Sequence, residues 1–301
     1  MSDTVSVKAS PFKEFFLSVI TRDVQIVDTI PEFVDNSIDG AKRVRGSDDL
    51  SGLEVDVFIN EDKVTVKDNC GGIERNIAEN YAFRFGRDDE AENEIESIIG
   101  KFGVGMKRSL FKLGSEFVIE SKTEDSHYVI EINVDEWLDQ NNWQFELEPI
   151  STDDPRATLT EPGTRIHISE LKDNVSDKFS QELFITKIIN NLRVKNRQYL
   201  RDGIEIRVNG DELEYSPLEL RTSDDLVPAS ETFSVDNNGA EVQVKIQVGV
   251  GDRDPDKAGW YIFCNGRVVE EANKHEETGW GTENIPQYGS VETLFFVHIL
   301  A

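Results

Sequence analysis

Apolar and polar residues alternate through Leu53-Glu54-Val55-Asp56-Val57-Phe58-Ile59, which puts Leu53, Val55, Val57 and Ile59 on one face of a half-buried strand. Asn60-Glu61-Asp62 supplies a turn and Lys63-Val64-Thr65-Val66-Lys67 the returning strand, so the pair reads as a hairpin. Further strands are predicted near 116–121, 127–133 and 164–169, with Trp137 and Trp143 in the excursion before the last. Elsewhere the period lengthens. From Glu32 to Ala41 the residues Glu32, Asn36 and Asp39 share one helical stripe, while Phe33, Val34, Ile38 and Ala41 occupy the other sides. That arrangement suits a helix packed on a sheet. Ser109 to Leu113 reads as another helix, closed by Gly114.

Past residue 172 the pattern changes. Leu183 to Leu200 predicts one helix with Leu183, Ile185, Ile188, Ile189 and Leu192 on its buried side. Strands follow at Ile204 to Val208, Val242 to Val250, Trp260 to Cys264 and Val291 to Leu300. The expected class is α+β: a mixed sheet with helices on one face, then a smaller strand-rich domain. Residues 1–24 read as an N-terminal arm, 25–172 as the first domain and 173–301 as the second. Phe295 to Ala301 breaks off mid-strand, which leaves open whether the second domain continues.

Composition narrows this reading. A chain of 301 residues with 38% hydrophobic content can bury two cores and is a folded protein. No apolar run reaches the length of a membrane span, and no basic-then-apolar leader opens the chain. Cys70 and Cys264 are too few for a disulfide framework and lack metal-ligand spacing, so a reduced, cytoplasmic setting is expected. The net charge of −27 argues against bulk attraction to nucleic acid. A local basic surface at Arg193, Lys195, Arg197, Arg201 and Arg207 stays open beside the alternative of solvated charges at a helix end.

Three further segments carry candidate chemistry. Asp68-Asn69-Cys70-Gly71-Gly72-Ile73 puts a carboxylate at a strand end before glycines, where it can accept from an exocyclic amine while the backbone lies close to a flat ring. An ordinary Asp-Asn-Gly turn is the alternative. Gly100-Lys101-Phe102-Gly103-Val104-Gly105-Met106-Lys107 precedes the second helix, and glycines there let backbone N–H groups converge on an anion. No strand feeds its first glycine as a dinucleotide fold requires, and the P-loop pattern is missing. Pro162-Gly163-Thr164 opens a strand with a hydroxyl that could brace the same carboxylate or a phosphate. A carboxylate and a carboxamide on the Glu32 stripe can polarise water and hold magnesium, and for this segment alone a solvated polar face is the alternative.

In this order and spacing the four segments resemble the GHKL ATPases: gyrase B subunits, ninety-kilodalton heat-shock chaperones, histidine kinases and MutL proteins. The resemblance implies a Bergerat-type ATP-binding sandwich followed by a transducer-like domain. It implies ATP and Mg2+ as ligands, with Glu32 as general base and Asn36 on the metal. Asp39 joins the nucleotide-binding set, Asp68 reads the adenine amine, and Gly72 is the second glycine of the adenine box. Cys70 stands where the family has the first glycine, a departure that could tighten the adenine pocket or lower affinity. Gly100, Lys101, Phe102, Gly103, Val104, Gly105 and Lys107 match the phosphate loop and Thr164 the threonine behind the aspartate. Residues 84–100 would be the lid.

A finer likeness, to MORC proteins of prokaryotic type, rests on Gly105 to Ser109 and on Phe179 to Asn209. The GHKL resemblance implies ATP-dependent homodimerisation, with the N-terminal aromatics either crossing to a partner subunit, as in several of its families, or packing on their own domain. Asn265-Gly266-Arg267 resembles a turn of MutL-type transducers, and Lys245, Lys257 or Lys274 could supply a transducer lysine. None of the four histidines lies in a phosphoacceptor-like helix. The output would be an ATP-gated clamp or switch on DNA or a protein, or else an ATP-sensing module that barely hydrolyses.

Overall fold

Alternation along Glu54–Ile59 (β1) buries Val55, Val57 and Ile59 and leaves Asp56 and Phe58 exposed, so one face of this strand is covered and the other is not. Val64–Asp68 (β2) pairs antiparallel with it, Val57 opposite Val66, and buries Val64, Val66 and Asp68 on the covered side. The computed structural model describes residues 11–46, 49–86, 104–237, 240–254, 257–264, 267–278 and 293–300.

Around this hairpin grows a sheet of eight strands. Its other members are β3 (Gly114–Lys122), β4 (His127–Asn133), β5 (Leu147–Pro149), β6 (Gly163–Leu171), β7 (Glu205–Val208) and β8 (Asp211–Glu212). The order is β5-β4-β3-β6-β2-β1-β7-β8, antiparallel except for the parallel pair β1/β7. Ile204 to Val208, read from sequence as part of the strand-rich remainder, therefore completes the first sheet.

The helices lie against the covered face. Helix α1 spans Lys13–Thr21 and α2 spans Ile26–Arg45, with Ile30, Phe33, Val34, Ile38 and Ala41 buried. Gly46 ends α2 at φ +84 with its N–H on the Lys42 carbonyl, a conformation that favours glycine. A short helix α3 (Arg75–Ile77) runs into a π-turn over Ala78–Ala82. Helix α4 (Gly105–Leu113) packs beside α2 with Leu110, Phe111 and Leu113 buried, and α5 spans Val134–Asp139. The expected sandwich is present. Alternation of the sheet positions with a buried helix stripe is what dictates it.

Helix α1 is tied to its own domain. Arg108 donates to the Ile20 carbonyl at 2.6 Å and to Asp23 at 2.8 Å, and Lys112 donates to Thr21 at 3.0 Å. Lys13 caps α5 from below by donating to the carbonyls of Trp137 and Gln140, its ammonium 4.2 Å from the Trp137 ring centroid. Phe16 meets Phe85 and Trp143 edge-on, at 5.0 and 5.2 Å. Phe12 and Phe15 point outward.

Helices α6 (Asp173–Phe179), α7 (Glu182–Lys195) and α8 (Arg197–Arg201) follow β6. The single helix expected over Leu183 to Leu200 is broken at Asn196. Its Nδ2 donates to the Leu192 carbonyl at 3.0 Å, and its backbone leaves helical geometry at φ −101, ψ 12.

The chain divides into two units, Met1–Ile189 with Gly203–Leu213, and Asn190–Asp202 with Glu214–Ala301. The second holds a sheet of five strands: β9 (Ala229–Asn237), β10 (Ala240–Val250), β11 (Gly259–Cys264), β12 (Arg267–Asn273) and β13 (Thr293–Leu300). Their order is β12-β11-β13-β10-β9, with β11 and β13 parallel. Tyr261, Phe263, Val268 and Phe296 form its core, with Val194, Leu218, Leu220 and Ala272 packed on them. No helix among the described residues is long and apolar enough to cross a membrane.

Candidate nucleotide-binding site

Asp68 ends β2 on the covered side of the sheet, 7% exposed, and three donors converge on it. Ser37 of α2 donates to Oδ2 at 2.6 Å, while the amides of Cys70 and Thr164 donate to Oδ1 at 2.9 and 3.0 Å. Burial pushes the Asp68 carboxyl above the ordinary carboxylate range, outweighing these hydrogen bonds and the Arg43 charge. Thr164 thus serves through its backbone N–H. The hydroxyl expected from sequence is not the group in contact.

The loop after Asp68 is held on all sides. Asn69 accepts from the Glu54 amide at 2.7 Å, and Gly71 donates to Pro162 at 3.3 Å. The Ile73 amide donates to Ser121 Oγ at 2.7 Å, and Tyr128 donates to the Ile73 carbonyl at 2.9 Å. Gly72 lies at φ +72, and a Cβ there would stand 2.1 Å from the Lys122 carbonyl oxygen. Ser121 and Tyr128 had no motif to mark them, because each acts across a long stretch of sequence. Cys70 is buried, and its carbonyl oxygen and Cβ lie 2.6 and 3.3 Å from where a Gly40 Cβ would stand. Burial also pushes the Cys70 thiol up.

The polar stripe of α2 begins about one turn before Ser37. Glu32, Asp35, Asn36 and Asp39 are all half-buried. Asn36 Nδ2 donates to the Glu32 carbonyl at 2.6 Å, leaving Oδ1 as a hard oxygen donor of the kind magnesium takes. Among the described residues no group of three or more His, Cys, Asp or Glu is arranged to hold a metal. Asp39 lies 4.0 Å from Lys42.

Gly105 opens α4 directly against Glu32. A Cβ on Gly105 would fall 2.0 Å from Glu32 Oε2, so only glycine lets the carboxylate reach this helix start. Val104, at the N-cap, offers no side-chain bond to the first turn, whose N–H groups and dipole favour an anion. Lys107 is differently placed. It is 2% exposed, and its ammonium donates to the Ala82 carbonyl at 2.6 Å. Gly100, Lys101, Phe102 and Gly103 lie outside the described residues, as do residues 87–100 of the expected lid and Asn265-Gly266.

Residues 25–162 match the family of histidine kinase-, DNA gyrase B-, and HSP90-like ATPases. The match supports the GHKL superfamily for this segment, which is just short of half the chain and contains Glu32, Asn36, Asp68 and Gly105. No curated protein matches the chain.

The other candidate groups take less specialised places. Arg207 is ringed by Glu54, Asp56 and Glu205 at 2.6–3.0 Å, and Arg197 is buried beside Glu271. Two cations of the candidate basic surface are therefore paired with carboxylates of the protein. Lys245, Lys257 and Lys274 are exposed. His127 bonds Glu120 and His167 bonds Thr65.

Proposed function

We infer that the protein is a magnesium-dependent ATPase of the GHKL type that hydrolyses ATP slowly. The observation that carries this reading is the Glu32 carboxylate against Gly105, at a helix start suited to phosphate, on the same helix whose Ser37 fixes Asp68. The Asp68 carboxylate would accept from the adenine amine, with Gly72 leaving room for the ring. The open N–H groups of the α4 first turn would take phosphate oxygens. Lys107 would join them on exchanging the Ala82 carbonyl for a stronger anionic acceptor. Magnesium, held by Asn36 Oδ1, would neutralise phosphate charge. Glu32 would take the proton of the attacking water as oxygen bonds to the γ-phosphorus and the bond to the leaving ADP oxygen breaks.

Nucleotide-driven closure of the segment near 84–100 and pairing of two chains would make the protein a clamp or switch on DNA or a protein client. We place it in the cytoplasm and nearest the MORC-like ATPases, on the Gly105 to Ser109 run. One observation favours a second reading, that of an ATP-sensing module with little turnover: Lys107 is buried on a backbone carbonyl. Phosphate release from magnesium-ATP, beside Glu32→Ala, separates the two. A hydrolase loses release in the variant and keeps binding. A sensor binds ATP and releases none in either form.

A further inference from the structure

Arg43 stands one turn beyond Asp39 on α2 and belongs to none of the motifs. Its guanidinium turns back along the helix, 3.6 Å from where a Gly40 Cβ would stand, and donates to the Gly72 carbonyl at 3.3 Å. Asp39, Asp68, Glu74 and Cys70 are its charged or titratable neighbours. Burial holds it below the usual arginine range, so this cation has given up water to reach the loop.

The loop needs such a tie. Gly71 and Gly72 both occupy left-handed conformations, and glycine is the residue with the most backbone freedom to lose. Asn69 and Gly71 are fixed to β1 and Pro162, and Ile73 to Ser121 and Tyr128. Gly72, between those anchors, has its Cα face against Lys122 and Gly163 and its carbonyl on Arg43. The bond joins the base-end loop to the helix that carries Glu32 and Asn36.

We propose that Arg43 is a positioning residue of the base pocket, holding the Gly72 carbonyl so that the loop keeps the shape that receives adenine. The inference rests on the ATP reading above and deepens it. Because Arg43 acts at the base end, its loss weakens ATP and ADP alike and leaves the chemical step at saturating nucleotide unchanged. Lysine at this position can still donate to the carbonyl, whereas methionine keeps only the apolar stem.

The test measures ATP and ADP dissociation constants, turnover and thermal midpoint for the intact chain, Arg43→Met and Arg43→Lys. The expected result is about tenfold weaker binding of both nucleotides in Arg43→Met, the size of one charge-assisted hydrogen bond. Turnover at saturation should stay within about twofold, with affinity partly recovered in Arg43→Lys. Unchanged affinity in Arg43→Met overturns the proposal. So does a loss confined to turnover, or a loss of binding that simply follows a collapsed thermal midpoint in both variants. An unmodified chain that binds neither nucleotide instead overturns the ATP reading on which the proposal stands.

Discussion

Ser37 Oγ donates to Asp68 Oδ2 across 2.6 Å, joining the middle of α2 to the end of β2 inside the covered face of the sheet. Both groups are buried, at 5% and 7% exposure, so water cannot replace either partner. Removing the hydroxyl leaves a buried carboxylate one donor short. The protein with Ser37→Ala should lose about 1.5–3 kcal/mol of stability, the range for a hydrogen bond to a charged group. Urea unfolding checks this, and nucleotide titration of the folded variant should show weaker binding as the carboxylate loses its orientation. A midpoint within error of the parent would mean that the bond carries little.

Gly105 is a place where one methyl group should separate binding from chemistry. Its Cβ would stand 2.0 Å from Glu32 Oε2 and 3.1 Å from Cδ, so Gly105→Ala must push the carboxylate off the start of α4. Alanine suits a helix first turn, so the backbone itself should tolerate the change. Turnover is expected to fall at least about tenfold, with ATP affinity changed less, because misplacing a catalytic group by about 1 Å costs on that scale or more. Single-turnover phosphate release beside equilibrium binding would reveal the split. Equal losses in both would point to distortion of the whole loop.

Glu120 gives the fold an acid-sensitive joint. Its side chain is fully buried on β3 and accepts from the Thr158 amide and hydroxyl, the Leu159 amide and the His127 ring, at 2.5–2.9 Å. Burial raises its pKa, but these bonds outweigh burial and hold the carboxyl below its ordinary range. The folded chain therefore releases this proton more readily than the unfolded chain. The resulting stability is present above the unfolded pKa and is lost as pH falls through the lower folded value. Asp68, raised by burial, carries the opposite sign. Glu120→Gln should be less stable than the parent near neutrality and lose less on acidification. Urea midpoints measured from about pH 7 down to about pH 3 should converge, and parallel curves would count against the assignment.

The elements that sequence revealed are those whose period is local. Val55, Val57 and Ile59 alternate within one strand, and Phe33, Val34 and Ile38 recur within one helix, so neither needs a partner to be read. Asp68 was legible for the same reason, as the end of a readable strand. Its partners were less so. Ser37 and Thr164 lie in segments read as motifs, but which of their atoms touch Asp68 depends on how α2 and β6 meet the end of β2. Arg43, Ser121 and Tyr128 meet the loop from distant strands or the far end of a helix, with no spacing to announce them. The parallel pairing of Val55 with Ile206 spans most of the first unit, which is why β7 reads with its sequence neighbours. Lys107 and Glu120 defy composition, being charged residues buried on backbone donors or acceptors.

Gly71 and Gly72 share the left-handed conformation, at φ +87 and +72, yet alanine should not cost the same at each. At Gly71 a Cβ would meet Val44 Cγ2 at 2.4 Å, the tip of a half-exposed side chain that can turn aside. At Gly72 it would meet the Lys122 carbonyl oxygen at 2.1 Å and that of Gly163 at 3.0 Å, both backbone atoms of the sheet. Backbone cannot yield without disturbing the β3/β6 pairing, where Lys122 stands opposite Gly163. Gly71→Ala should therefore cost about 1–2 kcal/mol, mostly the left-handed strain of alanine. Gly72→Ala should cost about 4 kcal/mol or more, in the range reserved for clashes that a core cannot absorb. Chemical denaturation of the two variants side by side decides the order. A Gly72→Ala protein as stable as Gly71→Ala would mean that the loop can lift from β3, and that its bonds to Ser121 and Tyr128 do not hold it.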